Sequence, residues 1–270
     1  MGLLIAIAVW AITLAMAVPF VTQTWWMPES ITALGDEIDA AFNWTLIGTG
    51  IIFLLAQAAL GYTVWQFSRP TDKPASDSHG NNKLEILWTT AAAVIFVGLT
   101  FFSYSVWAET RFIEQKSMVP TADRLVVEVT GQQFVWNMRY AGEDNQFGPT
   151  DIALIDDAAG NPVGLDRSAP GGADDIMVPE MQVPVNKEVE VVLKSKDVLH
   201  NFFVPELRIK LDTVPGLVGK LRFTATKEGK YEIVCSELCG LGHYKMRSFL
   251  HVVTQEEYDA WIAEQASYLF

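Results

Sequence analysis

One stretch of the sequence predicts the fold: Lys230-Tyr-Glu-Ile-Val-Cys235-Ser-Glu-Leu-Cys239-Gly-Leu-Gly-His243-Tyr-Lys-Met246. It begins as a strand and ends as a loop rich in soft metal ligands. Its first six residues alternate polar and apolar side chains, with the period of a half-buried β-strand. The following residues bring two thiols, an imidazole and a thioether within twelve positions. The glycines at 240 and 242 let such a loop fold back on an ion. This stretch predicts a β domain with a metal site at the end of one strand.

Two further segments, Glu188–Lys194 and Lys220–Thr226, show the same alternation. Turn signals separate the strands, at Val214-Pro-Gly216 and at Lys227-Glu-Gly229. Short strands divided by turns predict an antiparallel sandwich or barrel.

Two other features of this domain have clear local signals. Residues 140–175 are rich in Gly, Pro and Asp, with Arg167 as their one basic residue, which predicts a long exposed loop. Thr254-Gln-Glu-Glu257 matches a capping box and predicts a short C-terminal helix through Trp261.

The two cysteines, Cys235 and Cys239, leave several interpretations open. They could form a disulfide in an oxidising compartment, share a Cys2His2 zinc site, or simply be buried thiols. A second strong imidazole, His200, lies at the end of another strand, in Asp197-Val-Leu-His200. Met246 favours copper, because a thioether tunes the potential of copper sites and adds nothing to a zinc site. Two thiolates, two imidazoles and a thioether suffice for two copper ions that share bridging sulfurs.

Three long segments contain no charged side chain: residues 1–28, 40–68 and 86–108. A membrane-spanning helix needs about 20 apolar residues. The second and third segments therefore predict a transmembrane helical hairpin over residues 40–108, with spans near Asn43–Phe67 and Glu85–Trp107.

Residues 1–22 allow two interpretations. Their apolar core and the small residues around Ala15-Met16-Ala17 resemble a signal peptide with its cleavage site. The missing basic flank instead favours a third transmembrane helix that is retained.

Charge predicts the topology. The polar loop 68–83 carries Arg69, Lys73 and Lys83, which places it in the cytoplasm by the positive-inside rule. Residues 109–270 then lie on the extracytoplasmic side.

The whole chain of 270 residues has a net charge of −13. Such acidity argues against nucleic acid as a partner, because phosphates would repel the chain, and favours a basic protein partner.

The chain resembles subunit II of the haem-copper cytochrome c oxidases over roughly residues 40–265. The resemblance rests on the motif Cys235-x3-Cys239-x3-His243-x2-Met246, on His200 upstream of it and on the membrane hairpin that precedes both. The resemblance implies an all-β, cupredoxin-like Greek-key barrel that binds two copper ions as a binuclear copper A centre. The implied copper ligands are the side chains of His200, Cys235, Cys239, His243 and Met246 and the backbone carbonyl of Glu237. The Glu237 carboxylate would reach a magnesium or manganese ion shared with the catalytic subunit.

The segment Glu85-Ile-Leu-Trp88-Thr89 resembles a Glu-x-x-Trp-Thr stretch of the family, whose glutamate stands at the cytoplasmic mouth of a proton pathway. The proline that usually follows is absent here, where Thr90-Ala-Ala-Ala93 continues the helix. Glu85 could equally be a topology anchor at the membrane edge.

Gly131-Gln-Gln-Phe-Val-Trp136 resembles the family's aromatic strand, in which a tryptophan normally receives the electron from cytochrome c. Phe134 occupies that position, and Trp136 keeps the second aromatic position as a further candidate for accepting electrons. The substitution indicates a different donor, a donor that is tethered or held in a supercomplex, or a phenylalanine that only fills the edge of the barrel.

The family's role is to pass electrons from a c-type cytochrome through copper A to haem in the catalytic subunit, coupled to oxygen reduction and proton translocation. The implied partners are subunits I and III, the cytochrome and membrane lipid, in a bacterial plasma membrane. Asp197 is a candidate contact for the cytochrome.

Three alternatives compete with this interpretation. A quinol oxidase subunit would lack Cys235 and Cys239. A dicopper domain of the nitrous oxide reductase kind would lack the hairpin, and a copper-delivery protein would have an open site with fewer ligands.

Overall fold

The computed structural model describes residues 1–68, 80–111 and 123–268. Arg69 and Lys73, on which the topology prediction partly rests, lie outside the described residues. The chain divides into a helical unit, residues 1–28 and 37–111, and a β unit, residues 29–36 and 112–270.

In the part of the chain that the structure describes, three helices are long and apolar enough to cross a membrane: α1 (Gly2–Val21), α2 (Ala33–Phe67) and α3 (Asn82–Arg111). All of them except the first turn of α2 belong to the helical unit. Both predicted spans of the hairpin lie within α2 and α3. Helix α1 packs on α2, where the Trp10 indole leaves no room for a Cβ on Gly61. Residues 1–22 therefore form a helix that is in contact with the hairpin.

The described residues of the β unit contain ten strands and, besides the first turn of α2, one α-helix. In chain order they are β1 (Leu125–Gln132), β2 (Val135–Tyr140), β3 (Ile176–Val178), β4 (Met181–Pro184), β5 (Glu188–Ser195), β6 (His200–Val204), β7 (Ile209–Thr213), β8 (Gly219–Thr224), β9 (Gly229–Cys235), β10 (Arg247–Val253) and the helix α4 (Gln255–Ser267).

The strands form two five-stranded sheets, in the orders β3-β2-β1-β5-β8 and β4-β10-β9-β6-β7. Alternate apolar side chains of both sheets make one core, which confirms the predicted cupredoxin-like fold. The purely antiparallel arrangement expected from the turns is wrong at two pairings, since β1 pairs with β5 and β4 pairs with β10 in parallel. Parallel neighbours need a long connection, and each of these pairs is separated by several other strands.

The capping box is confirmed: Thr254 and Glu257 exchange hydrogen bonds at the start of α4. The helix continues to Ser267, beyond the predicted end at Trp261. The Trp261 ring packs edge-on against Tyr140 of β2, at 5.3 Å between centroids. This contact fixes α4 against the core.

Residues 141–175 carry a short 3-10 helix and isolated β-bridges but no strand. They are nevertheless fixed to the sheet, because Arg139 of β2 donates to Asp175 and to the Gly148 carbonyl, each at 2.8 Å. Arg139 also pairs with Glu128 of β1. The predicted loop is thus anchored by a buried ion pair at its C-terminal end.

Residues 29–36, which include the first turn of α2, belong to the β unit, an assignment that the sequence patterns did not predict. Ile31 is buried in the core. Its backbone N–H donates to the Glu206 carbonyl at 3.0 Å, and its carbonyl accepts from the Thr226 N–H at 2.8 Å. Two backbone hydrogen bonds therefore hold this segment against the rest of the β unit.

Candidate metal centre

The register between β6 and β9 brings the first two candidate ligands together. Phe202 of β6 pairs directly with Cys235, the last residue of β9. His200 stands two residues before Phe202, so its side chain points to the same face of the sheet. The loop from β9 to β10 then carries the remaining candidates.

The two thiols lie side by side at the centre of the site. Their sulfurs are 3.9 Å apart and both residues are buried as free cysteines. His200 Nδ1 lies 4.0 Å from Cys235 Sγ, whereas His243 Nδ1 lies 3.6 Å from Cys239 Sγ. Each imidazole is therefore next to a different sulfur.

Two further donor atoms complete the set. Met246 Sδ lies 3.7 Å from Cys239 Sγ, and the Glu237 carbonyl oxygen lies 3.1 Å from Cys235 Sγ. The structure thus brings together all six residues that the sequence assigned to the metal. The Glu237 side chain itself is exposed.

The electrostatics of the thiol pair favour a bound cation. Burial and the neighbouring Cys235 raise the pKa of Cys239 to about 11. A soft metal ion that replaces the protons of two neighbouring thiols would compensate the negative charge of both thiolates. Soft sulfur and imidazole donors of this kind suit copper.

Groups behind His200 hold its ring in place. Asp197 Oδ1 lies 2.8 Å from His200 Nε2, which leaves Nδ1 facing the sulfurs. Burial disfavours the charged form of Asp197, yet hydrogen bonds from the Gln133 backbone and from His200 outweigh it and lower the pKa of that carboxyl. Gly131 allows the ring to approach β1, since a Cβ there would lie 2.9 Å from His200 Cδ2.

A second polar network holds the start of the ligand loop. Ser236 Oγ donates to Asn201 Oδ1 at 2.6 Å, and Asn201 Nδ2 donates to Asp212 Oδ1 at 2.6 Å. Asn201, Ser236 and Gly131 were not among the residues predicted from the sequence. Asn201 is next to His200, Ser236 is next to Cys235 and Gly131 precedes Phe134, so closeness to a predicted site residue was the one available signal. Their contacts themselves depend on strand register.

The two aromatic candidates occupy different environments. Trp136 is buried, at 3% exposure, and packs edge-on against His200 at 6.0 Å between ring centroids. Phe134 is half-buried, and its ring lies against Gly240 and Gly242 of the ligand loop. Phe134 therefore covers the stretch between Cys239 and His243.

Glu85, the remaining sequence-predicted residue, lies in the first turn of α3 and is exposed in the helical unit. It takes no part in the metal cluster.

Family comparison decides the class of this protein. The family described as cytochrome c oxidase subunit II, periplasmic domain, matches residues 125–254, and the corresponding transmembrane-domain family matches residues 21–106. The chain belongs to the cytochrome c oxidase subunit II family.

Two bacterial relatives illustrate the similarity. The alternative cytochrome c oxidase subunit 2 of Bradyrhizobium diazoefficiens is 34% identical over 246 residues, which cover 90% of this chain and 85% of the relative. The cytochrome c oxidase subunit 2 of Cereibacter sphaeroides is 33% identical over 260 residues, covering 88% and 78% respectively. A crystal structure of the periplasmic domain of subunit II from Bradyrhizobium japonicum is 28% identical, covers 57% of this chain and all of that one, and has a TM-score of 0.40.

Membership of the subunit II family confirms a multi-pass protein of a bacterial membrane with a periplasmic β domain. The transmembrane match over residues 21–106 also removes the alternative of a dicopper domain without a membrane hairpin. The family is one of copper-binding oxidase subunits, which agrees with the buried cluster of His200, Cys235 and Cys239.

The contact between Phe134 and the ligand loop yields a first prediction. In Gly242→Ala the new Cβ would overlap the Phe134 ring, while the backbone at Gly242 (φ −93°, ψ 7°) remains accessible to alanine. We expect the free energy of unfolding to fall by about 1–3 kcal/mol, as is usual for overpacking. Urea unfolding of the purified chain measures it.

The control is the same substitution in a Phe134→Ala background, where the ring is absent and the cost of Gly242→Ala should largely disappear. Equal costs in both backgrounds would contradict the contact.

Proposed function

We propose that this chain accepts electrons from a c-type cytochrome at a binuclear copper A site and passes them to haem in the oxidase's catalytic subunit. Oxygen reduction and proton translocation then take place in that partner. One observation carries the proposal: two buried thiols lie 3.9 Å apart, and each has its own imidazole beside it.

The donor set supports two copper ions over a single zinc ion. A structural zinc site takes four ligands in a tetrahedron, whereas here five side chains and one carbonyl converge. Met246 Sδ beside Cys239 is the weak ligand expected of copper. Two copper ions bridged by the thiolates would supply reversible one-electron storage.

The protein's own groups fit that role. Asp197 fixes the His200 ring, and Asn201 with Ser236 fixes the start of the loop. Ligands held by such hydrogen bonds would keep one geometry in both oxidation states, so that little reorganisation would accompany the transfer of the electron. Trp136 lies directly behind His200 and offers an aromatic contact on the inner side.

The charge of residues 141–175 supports a basic cytochrome as donor. This segment holds eight acidic residues and one basic residue. It is attached near Phe134, because Asp157 pairs with Lys196 at 2.8 Å and accepts from Gln132 at 3.2 Å. A concentrated acidic surface steers a basic partner and loses this effect as salt rises.

Several finer roles complete the proposal. The exposed Glu237 carboxylate would bind the magnesium or manganese ion shared with the catalytic subunit, and Glu85 would collect protons on the cytoplasmic side. Association with other oxidase subunits follows from the family, and we propose subunits I and III as these partners. The three exposed apolar helices would contact them and membrane lipid.

A second prediction tests the metal. Cys235→Ser and Cys239→Ser should each abolish the intense thiolate-to-copper bands of the native complex, because both thiolates would be needed to hold the two ions. Metal analysis of the wild-type complex should give two copper ions for each copy of this chain. Leu238→Ala, an exposed side chain between the cysteines, is the control and should leave bands and copper unchanged. One zinc ion in place of copper would contradict the proposal.

A third prediction concerns Glu85. A carboxylate at a membrane edge can take up protons and pass them inward, so Glu85→Gln should slow oxygen uptake by the assembled oxidase while the donor still reduces copper at the native rate. Glu37→Gln, an exposed carboxylate in the first turns of α2, should change neither. If the assembled Glu85→Gln oxidase turns over at the wild-type rate, Glu85 serves only as a topology anchor.

A fourth prediction concerns Phe134. A benzene ring lacks the N–H donor and the larger π surface of an indole, so the purified oxidase should oxidise soluble cytochrome c slowly. A tethered donor would compensate, being present at roughly millimolar effective concentration. Phe134→Trp should speed the soluble reaction without altering oxygen reduction with artificial donors, and Val135→Trp, at the exposed neighbouring position, should not. A fast wild-type reaction that Phe134→Trp leaves unchanged would show the substitution to be neutral.

A further inference from the structure

The turn between β1 and β2 is bonded to both segments that carry metal ligands. Gln133 Nε2 donates to the main-chain carbonyl of Cys239 at 2.5 Å. The backbone N–H of Gln133 donates to Asp197 Oδ2 at 2.7 Å, and the other oxygen of Asp197 lies 2.8 Å from His200 Nε2. One residue that is not a ligand thus connects the His200 side of the site with the Cys239 side.

The position of Cys239 affects three other donor atoms of the site. Its Sγ lies 3.9 Å from Cys235 Sγ, 3.6 Å from His243 Nδ1 and 3.7 Å from Met246 Sδ. A shift of this one residue changes three distances between donor atoms at once.

The backbone that follows Cys239 needs outside support. Gly240 has φ +138°, a conformation that L side chains rarely adopt. Glycine is the residue with the most conformational freedom, so the orientation of the peptide between residues 239 and 240 depends on what its carbonyl is bonded to. Gln133 provides such a bond from a position 106 residues earlier in the chain.

We propose that Gln133 is a positioning residue of the copper site: its side-chain amide holds the Cys239 carbonyl and thereby sets the geometry of the thiolate pair. The proposal rests on the function proposed above. In this role the β1–β2 turn affects the copper retention and the midpoint potential of the site, independently of any contact with the electron donor.

The test compares two neighbouring glutamines in the assembled oxidase. Gln133→Met keeps the length and flexibility of the side chain but removes the N–H donor. Outer-shell substitutions typically lower metal affinity 10–100-fold, and we expect the lower end of this range, with copper lost to a chelator about tenfold faster. The hyperfine pattern in electron paramagnetic resonance and the midpoint potential should also change.

Gln132→Met is the matched control. Gln132 donates to Asp157 at 3.2 Å and accepts from Asn137 at 3.2 Å. Its loss should leave the chelation rate, the hyperfine pattern and the potential at wild-type values.

A rescue pair separates positioning from general damage. Gln133→Lys retains an N–H donor of similar reach and should recover most of the copper retention, whereas Gln133→Glu turns an acceptor towards a carbonyl and should not. If Gln133→Met fails to assemble, this pair decides the question by itself. A wild-type spectrum and chelation rate in Gln133→Met, or equal retention in the Lys and Glu variants, would overturn the inference. A wild-type complex without any copper signal would overturn the proposed function instead.

Discussion

The site depends on one constraint, the placement of two thiols side by side inside the end of a β barrel. Burial and the neighbouring Cys235 raise the pKa of the Cys239 thiol. A soft cation held by the two sulfurs and the imidazoles would replace the thiol protons and offset the proximity of the two thiolates. Strand register, hydrogen bonds and glycines all act to keep this pair within 3.9 Å.

Three separate parts of the fold hold the pair. The pairing of β6 with β9 places His200 beside Cys235. Asn201 and Ser236 fix the start of the ligand loop, and the β1–β2 turn reaches the loop through Gln133 and the ring of Phe134. Each contact joins residues that are far apart in sequence, so the site forms only once both sheets have assembled.

Phe134, which stands where the family resemblance predicted a tryptophan, takes part in these contacts. The ring does not stand free at the edge of the barrel, because it lies against Gly240 and Gly242. An aromatic side chain here therefore has a packing role in addition to any role in electron transfer. The acidic segment 141–175, attached beside this turn by Asp157 and Lys196, offers a nearby surface for a basic donor.

Local sequence patterns were enough to predict the membrane helices, several strands, the capping box of α4 and five candidate metal side chains, to which the family resemblance added the Glu237 carbonyl. These features are local: a span is a run of apolar residues, a strand alternates with period two, and the ligands have a fixed spacing. Three features became visible only in the folded chain: the parallel pairings of β1 with β5 and β4 with β10, the inclusion of residues 29–36 in the β unit, and the hydrogen bonds of Gln133, Asp197 and Asn201 around the ligands. The physical reason is that strand register and side-chain hydrogen bonds depend on which distant segments become neighbours, and a period or a spacing along the chain carries no record of that choice.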